Sequence, residues 1–243
     1  MIRPRTPRDL VAAVEARPVL PQGTDERFSG YAVLGVHFAS GEILALRRFA
    51  ASSVGPAYTS VWHYSASGRW TMYQDIPEAG GCGRYFSDGV ERVVVCPIRT
   101  VWTGASRFTV TVEDGPLDWQ VELGSAWTTR LLSRLAVALP RSVVSSGAGA
   151  RILGRAAGLL LGAGALTLAG STPNGFRFLA SATALYHVGG SRALIAGRVT
   201  GEAVASARDI HLGDFRIPSR GIFAMVSANL RAAPDAVAGS SGI

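Results

Sequence analysis

The sequence predicts a mainly β protein, either an antiparallel β-barrel or a strongly curved sandwich, with a helical insert around 128–161. About ten segments of strand length follow one another and are mostly joined by short turns that contain Gly or Ser. Helical periodicity is concentrated in the one insert. The 243 residues suit one domain with a single buried core. We therefore expect an N-terminal arm over 1–27, one domain over 28–231, and a flexible tail over 232–243.

The first elements are a short helix and two hairpins. The arm has a helical pattern from Asp9 to Ala16, with Thr6 or Asp9 as its N-cap. Two pairs of strands then follow, and each pair is separated by a turn that contains Gly. The first pair covers 31–38 and 42–49, and the second covers 58–64 and 70–76.

The next hairpin has the clearest alternation in the chain. One face of 107–113 carries Phe108, Val110 and Val112, and one face of 117–123 carries Leu117, Trp119, Val121 and Leu123. We expect one dry face and one wet face here. Before it lies a longer apolar run over 90–102, in which Pro97 indicates a bulge, a bend or an edge position.

The insert falls in a stretch without carboxylates. Residues 123–201 contain eight Arg and neither Asp nor Glu, which accounts for the net charge of +7. Leucines at four-residue spacing predict an amphipathic helix over 128–139 that ends at Pro140, and a second helix is expected over 146–161. Strands are then expected over 163–169, 176–188, 192–199 and 220–227.

Composition excludes several chemistries. All 24 basic residues are Arg, so a Schiff-base lysine and a phosphate-binding P-loop lysine are excluded. Cys82 and Cys96 are too few for a disulfide scaffold, and the four histidines lack metal-ligand spacing. We predict neither a metal nor a cofactor. The N-terminal region lacks the apolar core of a signal peptide, and the apolar stretch 156–170 is too short to cross a bilayer, so a cytoplasmic location is expected.

A few side chains are candidates for a site. His63 is the candidate acid or base, with Tyr85 and Arg84 as its catalytic partners, because histidine titrates near neutral pH. The candidate ligand-binding residues are aromatic or basic and lie in strands, in turns or at the start of the insert: Trp62, Trp127, Arg130, Arg134 and Arg220. The alternatives are ordinary structural roles, such as a partly buried histidine and a core tryptophan.

Three short motifs carry a family resemblance: Thr59-Ser60-Val61-Trp62-His63, Pro173-Asn174-Gly175 and Ile217-Pro218-Ser219-Arg220-Gly221. On a chain of antiparallel hairpins they resemble lipocalin-like proteins related to carotenoid 1,2-hydratases and, more generally, actinobacterial proteins. The resemblance covers the strand-rich parts before 123 and after 163. It implies a barrel that binds an apolar small molecule, in some members with cofactor-free hydration or cyclisation. A second resemblance, to acetoacetate decarboxylase-like β folds, transfers no activity because the required lysine is missing.

Three functions follow as expectations. The first is binding of a hydrophobic or amphiphilic small molecule in the barrel cavity. The second is a cofactor-independent lyase, hydratase or cyclase that acts in the same cavity. The third is peripheral attachment, without catalysis, of the basic, Leu-rich insert to an anionic membrane surface at the inner face of the membrane. Nucleic acid is not an expected partner, because the arginines are interleaved with Leu and Ala and no docking module is present.

Overall fold

The computed structural model shows a mainly β protein built on one strongly curled, half-barrel sheet, which confirms the predicted fold class. It describes residues 5–113, 117–124 and 166–233. The predicted helical insert, including Trp127, Arg130 and Arg134, lies outside these residues. The strands are β1 Glu26–Phe38, β2 Ile43–Ser52, β3 Tyr58–Tyr64, β4 Trp70–Gln74, β5 Arg92–Val95, β6 Ile98–Trp102, β7 Arg107–Val112, β8 Leu117–Leu123, β9 Ala169–Ser171, β10 Phe176–Ile195, β11 Arg198–Val199, β12 Ala203–Val204, β13 His211–Leu212, β14 Phe215–Arg216 and β15 Ile222–Ala232.

Ten strands form the main path of the sheet in the order β5-β4-β3-β2-β1-β15-β10-β8-β7-β6. Neighbours along this path are antiparallel except β4 and β5, which are parallel. Strands β9 and β11 pair with β10, and β12 pairs with β1. A separate hairpin, β13–β14, lies outside the main sheet. The helices are α1 Pro7–Ala16 and α2 Gly83–Phe86, with short 3-10 turns at Glu78–Gly80 and Ser87–Gly89.

Helix α1 ends at Ala16 as predicted but begins at Pro7, two residues before the predicted start, with Thr6, one of the two candidate caps, as its N-cap. The Oγ1 atom of Thr6 accepts a hydrogen bond from the backbone N–H of Asp9, and the Asp9 carboxylate accepts one from the N–H of Thr6. Glu15, near the end of the helix, pairs with Arg48 of β2 at 2.9 Å. The backbone N–H of Arg8 donates to the carbonyl of Ala105, between β6 and β7. The helix thus joins strands that are far apart in the sheet order, because the curl brings them close.

The inner face of the curl is filled by its own side chains. Phe223 of β15 lies at the centre of an aromatic cluster, with ring centroids 5.7 Å from Tyr31 and 6.2 Å from Trp102, Phe108 and Tyr186. These rings come from β1, β6, β7, β10 and β15. The described residues therefore pack the interior as a core rather than leaving it hollow.

Two apolar stretches are divided differently from the prediction, although Pro97 does mark a bend between edge strands as predicted. Pro97 divides the run 90–102 into β5, which pairs with β4, and β6, which pairs with β7, so the chain passes from one end of the sheet to the other. The predicted strand 176–188 and the first part of the predicted strand 192–199 form one long strand, β10, which ends at Ile195; its first half pairs with β15 and its second half with β8. Residues 198–199 turn back as β11, which pairs with the end of β10. Gly189 and Gly190 are typical of a turn, but here they lie where the partner of β10 changes from β15 to β8, with a register shift between Val188 and Gly190.

We expect the inner core to dominate stability. Leu44 of β2 is 0% exposed, whereas Leu194 of β10 is 39% exposed. Leu44→Ala should lower the free energy of unfolding by about 2–5 kcal/mol through lost burial and a new cavity. Leu194→Ala, the matched control, should cost less than about 1 kcal/mol. Urea unfolding of both variants measures the difference, and equal losses would contradict this assignment of the core.

Candidate ligand-binding site

A cavity of about 100 Å³ lies on the outer face of the sheet, opposite the aromatic core. Its walls are almost entirely apolar. They come from the outer faces of five strands, from the segment around α2, from 166–168 and from the β13–β14 region. The residues that line it are Phe28, Leu34, Arg47, Phe49, Tyr58, Trp62, Cys82, Tyr85, Phe86, Leu166, Thr167, Leu168, Phe178, Ala180, Ser181, Ala182, Phe215, Arg216, Pro218, Val226, Ser227, Ala228 and Leu230.

Small side chains leave this space open. Ala180 of β10 lies directly opposite Ala228 of β15, and Ala182 lies opposite Val226. In an antiparallel pair, opposite side chains on one face are close neighbours, so two alanines leave a shallow region between larger residues. The floor of the cavity is therefore set by the cross-strand register.

Aromatic rings form one wall. Phe28 lies 5.1 Å from Phe49 between ring centroids, and Phe49 lies 5.4 Å from Tyr58. Further along, the Trp62 ring lies 5.6 Å from that of Phe215. The aromatic wall on β1, β2 and β3 thus contacts a ring from β14, and this ring covers part of the cavity.

The segment around α2 is held against the sheet by one buried amide. Gln74 at the end of β4 donates to the carbonyl of Ile76 at 2.8 Å and accepts from the N–H of Gly83 at 2.9 Å. A Cβ atom at Gly83 would lie only 2.5 Å from Cγ of Glu78, so this close approach requires glycine. The arrangement fixes Cys82 at the cavity wall, where its Sγ lies 3.5 Å from the Tyr58 hydroxyl.

Arg47 is the charged group buried in this wall, with 6% of its surface exposed. Its Nη1 atom donates to the carbonyl oxygens of Val33 at 2.9 Å and Leu46 at 3.0 Å. Its guanidinium carbon lies 4.4 Å from the ring centroid of Trp62 and 4.6 Å from that of Phe215. Such stacking suits a planar guanidinium. Its Nη2 atom is buried and makes no hydrogen bond within the described part of the chain.

The groups near Arg47 do not neutralise it. Burial lowers the pKa of Arg47 to about 10, so the side chain stays charged near neutral pH. Burial raises the pKa values of the Tyr58 hydroxyl and the Cys82 thiol, so both remain protonated. Among the described residues, no Asp or Glu forms an ion pair with Arg47.

Of the predicted site residues, Trp62, Tyr85 and Arg84 lie at or beside this cavity. Arg84 and Tyr85 are bound to Glu26 of β1: Arg84 Nη2 lies 2.6 Å from Oε1, and the Tyr85 hydroxyl donates to Oε2 at 2.5 Å. Burial and the Glu26 carboxylate raise the pKa of Tyr85. This trio ties α2 to the sheet.

His63 does not join them. Side chains alternate along β3, so His63 points to the face opposite Trp62, where its Nε2 lies 3.7 Å from Oε1 of Glu42. Burial lowers the pKa of His63, although Glu42 opposes this effect, and the ring is neutral near pH 7. The predicted group of His63, Tyr85 and Arg84 is therefore not brought together. Arg220 lines a separate groove beside His187.

Arg47 is the residue that the sequence interpretation missed. The signal is the Arg47-Arg48 pair inside an apolar strand, because alternation forces one arginine onto each face. Arg48 meets Glu15 on the inner face. Arg47 lies on the outer face among aromatic rings.

Neither a metal-ligand cluster nor a membrane-crossing helix is found among the described residues. Among residues 5–113, 117–124 and 166–233, His, Cys, Asp and Glu form no group of three or more that is able to hold a metal ion. Within the same ranges, no helix combines the length and the apolar character needed to cross a bilayer.

Comparison with known proteins found no matching family model and no curated protein of significant sequence similarity. The resemblance to proteins related to carotenoid hydratases therefore stays a prediction.

We expect the Glu26 contacts to stabilise the fold in a pH-dependent way. Burial alone would raise the pKa of Glu26, but hydrogen bonds from Arg84 and Tyr85 and the charge of Arg84 outweigh it, so the pKa is lowered. Glu26→Gln should cost about 1 kcal/mol near neutral pH, a modest value because solvent screens the partly exposed pair. The difference from wild type should shrink as the pH falls below about 4.3, where the unfolded carboxyl binds a proton, and through the lower folded pKa.

Glu91→Gln is the matched control, because its pair with Arg69 is more exposed. It should change stability by less than about 0.5 kcal/mol. Urea unfolding at a series of pH values measures both variants. A Glu26→Gln difference that does not change with pH would contradict the proposed role of the carboxylate.

Proposed function

We propose that this protein binds a small apolar or amphiphilic molecule in the outer-face cavity. The observation that carries the proposal is a preformed space with apolar walls, an aromatic side and a floor of small residues. Apolar cavities of this kind stay dry and take up apolar ligands. The ligand class is the one predicted from the sequence, but the proposed site is on the outer face of the sheet and not inside the curl.

The size of the cavity limits the ligand. A water molecule needs about 10–15 Å³ of such space, so a cavity of about 100 Å³ has room for roughly seven to ten waters. A ligand with about that many non-hydrogen atoms, such as an eight-carbon alkyl chain with one polar end, fits this estimate. Longer molecules would have to extend through the open side.

Protonation states support binding over acid–base catalysis here. The titratable groups in the cavity wall include Tyr58, Cys82 and Tyr85, and burial raises the pKa of each, so none supplies a base near neutral pH. The neutral histidine proposed as catalyst lies on the other face of β3. The cavity thus has the walls of a binding site without a base.

Binding should depend on the length of an alkyl chain. In a series from butanol to octanol, each added methylene should improve affinity about fourfold, because burial of one CH₂ contributes about 0.8 kcal/mol. The gain should stop when the cavity is full. Isothermal titration calorimetry measures the series, and affinity that does not change with chain length would contradict burial of the chain.

A cavity-filling variant tests the location. Ala180→Leu places three more carbons on the cavity floor and should weaken octanol binding at least about tenfold, since the ligand would have to displace a packed side chain. Ala12→Leu, on the exposed side of α1, makes the same change away from the cavity and should leave binding unchanged. Equal affinity in both variants would place the ligand elsewhere.

A further inference from the structure

We propose that Arg47 is the head-group site of this cavity and that the bound molecule is an amphiphile that ends in a carboxylate. The inference rests on the proposed function, because it names the chemical class of the ligand in that cavity. It starts from Arg47, which lines the cavity and whose buried Nη2 atom makes no hydrogen bond to any described residue. A buried donor without a partner costs free energy that an acceptor on a ligand would recover.

The surroundings of the guanidinium decide where that acceptor binds. Trp62 and Phe215 pack against the group at 4.4 Å and 4.6 Å, and their own ring centroids are only 5.6 Å apart, so they cover two adjacent sides of it. The Nη1 atom already donates to two backbone carbonyls. Nη2 is therefore the donor that an acceptor on a ligand would meet, and arginine N–H groups of this kind bind carboxylates.

Charge favours an anion over a neutral acceptor. A buried cation without a counter-ion is unfavourable, and removal from water makes its attraction to an anion stronger. The cavity wall includes 166–168 and one face of β10, which come from the part of the sequence without Asp or Glu, so this wall supplies no carboxylate. The counter-ion is absent from the surrounding wall and would arrive with the ligand.

The number of free donors favours a carboxylate over a phosphate ester. Phosphate groups carry up to two charges and three acceptor oxygens, and they are usually met by several donors. Here Nη2 of Arg47 is the unpaired charged donor, and the Tyr58 hydroxyl on the same wall already contacts Sγ of Cys82. The other hydroxyl groups of the wall, on Thr167, Ser181, Ser227 and Tyr85, are neutral. A single negative charge on a planar group matches this arrangement, with the alkyl chain lying over the alanine floor.

Three probes of similar size test the head group: octanoate, octanol and octylamine. Calorimetric titration of the wild-type protein near neutral pH and at low salt should show octanoate binding about ten- to a hundredfold more tightly than octanol, the range of one charged hydrogen bond. Octylamine, which is a cation at this pH, should bind most weakly. Arg47→Met should abolish the preference for octanoate while retaining octanol binding.

Arg48→Met is the matched control, because it removes an equal charge from the next residue on the opposite face. It should leave the octanoate preference unchanged. Arg47→Met replaces an unpaired buried cation with an apolar chain of similar length and is expected to fold. If it does not fold, Arg47→Lys is the second variant. It keeps the positive charge but on an ammonium group in place of the planar guanidinium, and it should retain a smaller preference for octanoate.

The outcomes separate the two proposals. Equal affinity of octanoate and octanol for the wild-type protein would overturn the head-group assignment while leaving the cavity as a binding site. An octanoate preference that persists in Arg47→Met would also overturn it, since the charge responsible would lie elsewhere. Binding of none of the three probes would overturn the proposed function and the head-group assignment together.

Discussion

One sheet with two apolar faces is the constraint on which this structure depends. The curl buries the inner face, because strands from opposite ends of the sheet pack against each other around Phe223. In the ranges that the structure describes, the outer face is covered by no sheet larger than the two-stranded β13–β14 hairpin. Irregular segments around α2 and β13–β14 cover it instead, and their imperfect fit over the alanines of β10 and β15 leaves the cavity.

Electrostatics on the two faces of β2 are opposite in character. Arg48 on the inner face has its carboxylate partner in Glu15, and this contact ties α1 to the sheet. Arg47 on the outer face has aromatic stacking and carbonyl acceptors but no carboxylate among the described residues. Burying such a cation lowers stability unless another interaction compensates for it. The cost is explained if the site works with a bound anion, which is the basis of the head-group proposal.

The carboxylate-free stretch of the sequence has a second consequence in the fold. In the sequence it indicates a source of positive charge for an external partner. In the structure its described part contributes apolar wall, with Leu166, Leu168, Phe178 and Ala180 beside the cavity. The lack of acids therefore bears on the interior of the cavity as well as on the surface, since no side chain of this stretch is able to neutralise Arg47.

Local features follow from the sequence alone: the hairpin strands, the alternation of β7 and β8, the candidates Thr6 and Asp9 for the cap of α1, and the exclusion of lysine chemistry. These depend on neighbouring residues and on the two-residue period of a strand. Only the tertiary structure decided that the cavity lies outside the curl and that Arg47 and His63 lie on different faces. Alternation divides side chains between two faces, but distant segments decide what covers each face: Phe215 covers Arg47, and Glu15 meets Arg48.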